Sequence, residues 1–315
     1  MKKLTIIIPL YNSDKYIAKC LETIARQTNK DFKVLLFDNQ GARHKDMISS
    51  FMTQMPVEYI SSENNLGWTG ANNIALKSVS TPYALLLNPD THMHVRCIEK
   101  MLVFIENHNE AVLVSPEILE YEDTDYSKEG FPLSFNLETG LISAYNLIDS
   151  HTEVNFVPGT AMLINMSNIP MSELYFRNDF FMYHEDVEFS IRMIALGYGK
   201  HYFVKGPKVA HASTQSMERV ATCRNALRNC LFCLQYFQSK TIFILRIPGY
   251  IFIFFKQYFS YYRLFYPFAY PYYFFLYLTR SIFLKKKLSA GNIEYSQNIH
   301  KTMNSKMKVL FSFIF

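Results

Sequence analysis

The sequence predicts an α/β domain, built on a mostly parallel sheet with helices on both faces, followed by a helical, aromatic-rich and basic C-terminal region. Short apolar runs alternate with amphipathic helical patterns up to residue 115, which is typical of a parallel sheet covered on both sides. From residue 224 to the end there are 13 Lys and Arg against one acid. Of the 49 Phe and Tyr, 22 lie between residues 232 and 283. We therefore predict two regions, residues 1–220 and 221–315.

Composition excludes a disordered chain, since 49% of the 315 residues are hydrophobic and 19% are charged. The first residues, "MKKLTIIIPLYN", include an apolar run too short for a signal peptide and no small-residue cleavage site, so none is expected. Five scattered cysteines favour reduced thiols in a cytoplasmic protein. Cys230 and Cys233 form a lone CxxC, which we interpret as structural rather than as a zinc or redox site.

The elements of the first region follow from hydrophobic periodicity. Continuous apolar runs predict buried strands: "LTIII" (4–8), "FKVLLF" (32–37), "YALLL" (83–87) and "AVLVS" (111–115), with "VEYI" (57–60) as a shorter one. The first of these is expected to end at Pro9. Helical spacing follows in "YIAKCLETI", with Ser13 as the expected N-cap. Near the end of this region "DVEFSIRMIALGYG" predicts a helix that Gly197 terminates.

Polar and glycine residues follow the first four predicted strands in chain order. These strand ends are "PLYN" (9–12), "DNQG" (38–41), "SSENNLGWTGANN" (61–73) and "NPD" (88–90). Asn, Asp and Gly also make ordinary turns. However, ligands of parallel sheets bind at the carboxyl ends of strands, so four such ends in succession indicate a binding site. No GxGxxG or GxxxxGK[ST] motif follows the first strand, so neither a Rossmann oxidoreductase nor a P-loop NTPase is supported.

Taken together, the ordered motifs resemble the family 2 glycosyltransferases with the GT-A fold, and within them the rhamnosyltransferase-like subgroup. The matching segments, spread over residues 4–216, are "TIIIPLYN", "LLFDNQG", "NNLGWTGANN", "LLLNPDT", "VPGTAMLI", "FFMYHEDVEFSIRMIALGY" and "VAHASTQS". The resemblance implies transfer of a sugar from a nucleotide-diphosphate donor to a hydroxyl group, with inversion at the anomeric carbon.

The resemblance also implies which residues hold the donor. Pro9, Tyr11 and Asp38 would contact a uracil or thymine base, although a turn before Gly41 is the alternative for Asp38. The remaining donor-binding residues that it implies are Asn65, Gly67, Asn73, Asn88 and Asp90. Trp68, the only tryptophan, is expected to pack rather than to react.

A divalent cation is expected to neutralise the leaving diphosphate. Where similar enzymes have Asp-x-Asp, this chain has Asn88-Pro89-Asp90, which removes one carboxylate. Asp90 is one implied ligand and His211 of "VAHAS" is the other, with a purely structural histidine as the alternative. Oxygen ligands suit Mg²⁺ or Mn²⁺, and an imidazole favours Mn²⁺.

The segment "FFMYHEDVEFSIR" (180–192) carries the residues expected to act on the acceptor. In similar enzymes the Asp of the Glu-Asp pair is the catalytic base, so Asp186 is implied as the base and Glu185 as its helper. Both lie at a helix N-terminus, where the dipole is expected to lower the pKa of Asp186. Two helix-capping acids are the alternative. Glu188 precedes Arg192 by four residues and is expected to form a structural ion pair.

The C-terminal region, residues 221–315, is expected to associate with membranes as amphipathic helices. Its longest uncharged run, residues 264–279, contains two prolines and is shorter than the ~20 residues that span a bilayer. Aromatic segments separated by Lys256, Arg263 and Arg280 instead suit an anionic bilayer surface. Buried packing or a dimer interface is the alternative, and nucleic-acid binding is not expected because the apolar runs are too long for an open groove.

These expectations combine into a peripheral enzyme on the cytoplasmic face of the cell membrane. It would transfer a sugar from dTDP-rhamnose or a UDP-sugar to a lipid-linked or glycan acceptor, with Mn²⁺ or Mg²⁺ as cofactor. Whether the chain forms a homo-oligomer is left open by the sequence. The alternative is a catalytically inactive relative that serves as a partner in a membrane assembly complex, which the Asn at position 88 suggests.

Overall fold

The structure is a computed structural model that describes residues 2–120, 126–145, 150–212, 219–238, 240–257 and 269–282. The strands are β1 (Leu4–Leu10), β2 (Phe32–Asp38), β3 (Val57–Ser61), β4 (Tyr83–Leu87), β5 (Thr91–Met93), β6 (Ala111–Glu120), β7 (Leu133–Phe135), β8 (Ile142–Ala144), β9 (His151–Val154), β10 (Ala161–Asn165) and β11 (Lys200–His211). The α-helices are α1 (Ile17–Ala25), α2 (Lys45–Ile48), α3 (Gly67–Lys77), α4 (Cys97–Asn107), α5 (Glu185–Ala195), α6 (Arg219–Phe237), α7 (Lys240–Gln257) and α8 (Ala269–Ile282).

The main sheet has the order β3–β2–β1–β4–β10–β6–β11–β5, and β9 pairs with β11. Strands β3, β2, β1 and β4 are parallel, and β10 runs antiparallel to both β4 and β6. Strand β11 is again parallel to β6, while β7 and β8 form a separate two-stranded sheet. All five predicted strands are confirmed. The parallel half of the sheet therefore brings the four polar strand ends to one edge.

Two details of the first βα unit differ from expectation. The first strand continues through Pro9, which pairs with Phe37 of β2. The pairing of β1 with β4 ends at Ile7, so the missing N–H of Pro9 interrupts no hydrogen bonds to a second neighbouring strand. Ser13 does not cap α1 with its side chain. Its hydroxyl oxygen accepts a hydrogen bond from the Tyr11 amide at 3.1 Å, and Tyr16 precedes the helix without a side-chain cap.

The core of the first region lies on both faces of the sheet. Alternate residues of β1 point to opposite sides, so that Ile6 and Ile8 pack with α1 and α4 while Ile7 packs with α3 and α5. This two-sided burial explains the continuous apolar runs of the sequence.

A third apolar cluster joins the C-terminal region to the first region. Residues of α6, α7 and α8 pack there against Val187 and Ile191 of α5 and against Phe135 of β7. Within the cluster the rings of Phe254 and Phe274 stack at 4.1 Å. Buried packing, the alternative to membrane association, is therefore present on one face of α6, α7 and α8. The boundary at residues 220 and 221 remains a prediction and falls in the first turn of α6.

Among the described residues, none of the helices combines the length and apolar character needed to cross a bilayer. Arg263 and Lys285, two of the cations of the C-terminal region, lie outside the described residues.

Cys230 and Cys233 are free thiols in contact with backbone carbonyls. The Sγ of Cys230 lies 3.4 Å from the carbonyl oxygen of Gly140, and that of Cys233 lies 3.6 Å from the carbonyl oxygen of His184. Burial raises the pKa of Cys230 to about 12, so this thiol is unreactive at neutral pH. The structure agrees with a structural role for the CxxC pair.

Candidate active site

A cavity of about 750 Å³ opens at the edge of the sheet where the parallel strands end. It collects most of the residues implied as functional: Pro9, Tyr11, Asn65, Gly67, Asn88, Asp90, Glu185, Asp186 and His211. Asp38 and Asn73 are not on its wall. Its described lining contains no Lys or Arg, and its acids are Asp90, Glu185 and Asp186.

Asp90 and His211 meet at one end of the cavity. Strand β5 pairs with the end of β11, and the amide of Ala212 donates to the carbonyl oxygen of Asp90 at 3.0 Å. These contacts place Nε2 of His211 3.3 Å from Oδ1 of Asp90. A carboxylate and an imidazole at this separation fit two ligand positions of a divalent cation. Among the described residues, no group of three His, Cys, Asp or Glu side chains is arranged to hold a metal ion.

Asn88 lies beside this pair, but its side chain is already engaged. Its Oδ1 accepts a hydrogen bond from the indole Nε1 of Trp68 at 3.1 Å. Trp68 is 8% exposed and meets the ring of Phe176 edge-on at 4.8 Å, as a packing residue should. The asparagine therefore orients the indole on the cavity wall, and Asp90 is the only carboxylate of the Asn-Pro-Asp motif.

Asp38 is fully buried and makes four hydrogen bonds to protein groups. Its Oδ1 accepts from the Gln40 amide, and its Oδ2 accepts from the Tyr59 hydroxyl and from both the amide and ring of His44. Burial alone would raise the pKa of Asp38, but the hydrogen bonds from Tyr59 and His44 outweigh it and hold the pKa below the usual value. The structure therefore contains the turn before Gly41 that was the alternative interpretation of Asp38. Contact with a donor base remains a prediction and would require part of this network to rearrange.

The loop before α3 brings Asn65 and Gly67 to the cavity but turns Asn73 away from it. Oδ1 of Asn65 accepts from the Gly67 amide at 2.9 Å. Gly67 has φ +71°, and a Cβ there would lie 2.4 Å from the carbonyl oxygen of Phe181, so only glycine permits this close approach.

Asn73 is not on the cavity wall. Its amide exchanges two hydrogen bonds of 2.7 Å with the backbone of Phe176, and its Nδ2 lies 3.2 Å from Oδ1 of Asn178. These bonds fasten α3 to the chain that leads into the Glu-Asp segment. Asn73 therefore has a structural role in this structure, and its implied contact with the donor remains a prediction.

The Glu-Asp pair enters the cavity through an unusual turn. Tyr183 and His184, directly before α5, have φ +74° and +64°. Non-glycine residues rarely adopt this conformation, and it persists only where surrounding contacts enforce it. Here Nδ2 of Asn229 in α6 donates to the carbonyl oxygens of both Met182 and Tyr183. The C-terminal region thereby supports the backbone that presents Glu185 and Asp186.

Each of the two acids has a different environment. The Asp186 carboxylate accepts from the Gly159 amide at 2.9 Å and from the Val187 amide at 2.8 Å. Glu185 is 5% exposed, and its Oε2 is buried with no hydrogen-bond partner among the described residues. An uncompensated buried carboxylate is costly, so Glu185 is suited to carry a proton.

Burial dominates the pKa values of both acids, which corrects the expectation from the helix dipole. Burial, reinforced by the charge of Asp186, raises the pKa of Glu185 well above its usual range. Burial also raises the pKa of Asp186, although the amides of Gly159 and Val187 oppose that shift. The dipole and these amides are worth less than desolvation at this position.

The ion pair expected one turn further along α5 is confirmed. Nε of Arg192 lies 2.9 Å from Oε1 of Glu188, and both side chains are buried. Arg192 also donates to the carbonyl oxygens of Glu173 and Tyr175 and lies over the ring of Tyr175. Glu188 therefore stabilises α5 and is absent from the cavity wall.

Sequence reasoning missed several residues that shape the cavity. Asn39 lines it, and its Oδ1 accepts from the Leu66 amide at 3.1 Å, which ties the second strand end to the third. Phe181 and Tyr183 also line it. Asn39 follows Asp38 in the "DNQG" strand end, so position alone could have suggested it. Nothing in the sequence marks the turn at Tyr183, because it contains no glycine.

The comparisons with known proteins agree with this geometry. A teichoic acid poly(glycerol phosphate) polymerase of Staphylococcus epidermidis is 34% identical over 96 residues, which cover 30% of this chain and 13% of that protein. The structure of Staphylococcus aureus TarS 1-349 in complex with UDP-GlcNAc has a TM-score of 0.55 at 14% identity, covering 100% of this chain and 95% of that one.

A second solved structure is similar to the same degree. It is the mannosyltransferase PcManGT from Pyrobaculum calidifontis in complex with GDP-Man and Mn²⁺, with a TM-score of 0.55, 12% identity and coverage of 89% and 85%. At these identities the likenesses show the fold, which is the GT-A fold.

Family membership comes from the sequence itself. Residues 5–168, about half of the chain, match the sequence model named "Glycosyl transferase family 2". This stretch contains the first four strand ends, including Asn88 and Asp90. The chain therefore belongs to glycosyltransferase family 2.

Proposed function

We propose that the protein is an inverting, metal-assisted glycosyltransferase of cell-surface polysaccharide synthesis. It would take a sugar from dTDP-rhamnose or a UDP-sugar and attach it to a hydroxyl of a membrane-linked glycan at the cytoplasmic face of the membrane. The observation that carries the proposal is a single cavity that holds both the Asp90–His211 pair and the Glu185–Asp186 pair. The names of relatives support its context, since one is a teichoic acid polymerase and another was solved with UDP-GlcNAc.

In the proposed reaction the acceptor oxygen attacks the anomeric carbon from the side opposite the leaving group. A new carbon–oxygen bond forms as the bond to the β-phosphate oxygen breaks, and the nucleoside diphosphate leaves with that electron pair. The acceptor proton passes to the carboxylate of Asp186. A positioned base of this kind contributes ~10²–10⁴-fold to the rate.

Asp186 is held in position for this role by the amides of Gly159 and Val187, each of which occupies one carboxylate oxygen. Each oxygen retains a lone pair that can accept the proton. Burial favours the protonated form of Glu185, which would donate a hydrogen bond from its carboxyl group to a substrate oxygen. Its buried Oε2 has no other partner among the described residues.

The leaving diphosphate requires positive charge, and the described cavity wall supplies no Lys or Arg. Asp90 and His211 would hold a divalent cation, Mn²⁺ or Mg²⁺, with the remaining positions left to donor oxygens and water. When bound, such an ion acts as a Lewis acid that stabilises the developing charge on the diphosphate. The Mn²⁺ in the PcManGT complex supports this proposal.

The acceptor is proposed to enter from the side of the small β7–β8 sheet. Leu133, Ile142 and Phe156 line the cavity there, whereas the donor residues lie at the ends of β1 and β4. Between β6 and β9, residues 121–125 and 146–149 lie outside the described part of the chain.

The alternative, an inactive partner protein, is favoured by one observation. The carboxamide of Asn88 is engaged with Trp68, so the Asn-Pro-Asp motif supplies a single carboxylate. An inactive partner of this kind would either not bind a nucleotide-sugar donor or bind it without transferring the sugar.

The experiment is a transfer assay with a panel of dTDP- and UDP-sugars, a polyprenyl-diphosphate-linked saccharide as acceptor, and Mn²⁺, Mg²⁺ or EDTA. We expect metal-dependent transfer that falls ~10²–10⁴-fold in Asp186→Asn. Asp46→Asn makes the same change at an exposed position outside the cavity and should retain full activity. Circular dichroism would verify that both variants fold. Full activity in Asp186→Asn would exclude Asp186 as the base, and binding without transfer across the panel would favour the inactive partner.

A further inference from the structure

Helices α7 and α8 carry large apolar side chains on the surface of the molecule. Leu245 and Phe252 of α7 are 74% and 71% exposed, and Tyr272 and Phe275 of α8 are 62% and 43% exposed. We call these four residues the outer face. Singly exposed apolar residues are common, but several large ones on two neighbouring helices indicate an interaction surface.

The outer face is distinct from the packed face of the same helices. Phe243, Tyr250 and Phe254 of α7 and Phe274 of α8 are buried in the third apolar cluster. Leu245 and Phe252 are seven residues apart, two turns along one side of α7. Phe254 contacts both Phe274 and Phe275, so the two helices lie side by side. The packed face already contributes to the third apolar cluster, and the outer face takes no part in that packing.

Charge indicates what covers this surface. Lys256 and Arg280, at the last turns of α7 and α8, are exposed. The sequence of α7 and α8 contains no acid. An isologous contact with a second copy would bring like charges together. Residues 283–315 hold six Lys and one Glu, so they carry the same sign and are also poorly suited to cover it.

We propose that the outer face of α7 and α8 docks on the surface of an anionic lipid bilayer, with both helices lying in the plane of the interface. Phenylalanine and tyrosine rings suit the headgroup boundary. Each Lys or Arg near an anionic surface strengthens partitioning about fivefold. Val187 packs in the same cluster as α7 and lines the cavity, so docking would hold the cavity near the membrane. This proposal does not depend on the sugar-transfer chemistry.

The test is co-sedimentation of the full chain with vesicles of phosphatidylcholine alone or with 30% phosphatidylglycerol, chosen here as the anionic probe, at roughly 50 mM salt. We expect binding to the anionic vesicles that weakens as salt rises. Leu245→Glu/Phe252→Glu should lose about tenfold or more in partitioning, since two apolar side chains no longer insert and two negative charges are added. Both positions are exposed, so the fold should survive.

Val103→Glu is the matched control, because Val103 is 55% exposed on α4, outside the C-terminal region. It should bind vesicles as the unmodified protein does. The proposal is overturned if the double variant sediments like the unmodified protein, or if the unmodified protein does not bind. A dimer that the double variant converts to monomer, without vesicle binding, would assign the outer face to a second copy. Donor binding measured without vesicles, through Trp68 fluorescence, would show separately whether the proposed function holds.

Discussion

At the scale of single residues, the adjacent acids Glu185 and Asp186 at the start of α5 have different hydrogen-bond environments. Asp186 receives two backbone hydrogen bonds that favour its charged form, while the Oε2 of Glu185 has none among the described residues. Burial raises the pKa of both, and the charge of Asp186 adds to the shift of Glu185. Hydrogen bonding therefore favours the charged form of Asp186, whereas burial without a partner favours the protonated form of Glu185.

This assignment predicts the acid limb of the pH–rate profile. If Asp186 is the base, as proposed, it works only when ionised, so activity should fall tenfold per pH unit below the pKa of Asp186. Because burial raises that pKa, the limb should lie above 3.8, the value of an ordinary Asp. Glu185→Gln should leave the limb in place, because burial favours the protonated form of Glu185, which Gln resembles. We would measure kcat/KM against pH for both proteins. A limb at or below 3.8, or one displaced by Glu185→Gln, would contradict the assignment.

At the scale of elements, α5 depends on the buried Arg192 as much as on its apolar face. The guanidinium group bonds to Glu188 within the helix and to the carbonyl oxygens of Glu173 and Tyr175 outside it. These contacts fix α5 against the chain that precedes it. The start of the helix, where Asp186 lies, is held by the same framework.

Replacing Arg192 tests the contribution of this ion pair. Arg192→Met keeps much of the volume but leaves Glu188 buried without its counter-charge, so we expect a loss of about 3–5 kcal/mol in the free energy of unfolding. The control is Arg96→Met. Arg96 pairs with Glu99 at 2.7 Å on the surface, and its loss should change stability little. Urea titrations followed by circular dichroism would compare them, and equal losses would show that burial of the pair does not matter.

At the scale of the whole molecule, three apolar clusters hold the chain together. Two lie on either side of the sheet, and the third joins α6, α7 and α8 to α5 and β7. Asn229 of α6 also bonds to the turn before the Glu-Asp pair. The C-terminal region therefore contributes to the cavity as well as presenting the outer face.

Two phenylalanines of α7 test this coupling. Phe254 is 2% exposed and stacks on Phe274, whereas Phe252 is 71% exposed. Phe254→Ala should cost about 3–5 kcal/mol, and Phe252→Ala should cost little. Trp68, the only tryptophan, lies in the first region and reports its unfolding. The urea midpoint of Trp68 fluorescence should fall in Phe254→Ala alone. An unchanged midpoint would mean that the C-terminal region unfolds independently.

Local patterns predicted much of the fold. The long apolar runs are strands whose side chains are buried on both faces of the sheet, as in β1, β2 and β4, whereas the shorter β3 is only partly buried. The shorter β5 and β9 carry no such signal, yet β5 brings Asp90 to His211 through its pairing with β11. Asp38 and Asn73 show the same limit within the site. Asp38 ends β2 and Asn73 lies in α3, and both bond to protein groups rather than line the cavity.

The sequence by itself determined the longer strands of the sheet, most of the polar residues that line the cavity at its edge, and the basic, aromatic character of the C-terminal region. These are properties of residues close together in the chain, set by periodicity and composition. The tertiary structure decided that Asn73 fastens Phe176, that burial outweighs the helix dipole at Asp186, and which aromatic residues of α7 face outward. These outcomes depend on desolvation and on hydrogen-bond partners, which only residues distant in sequence supply.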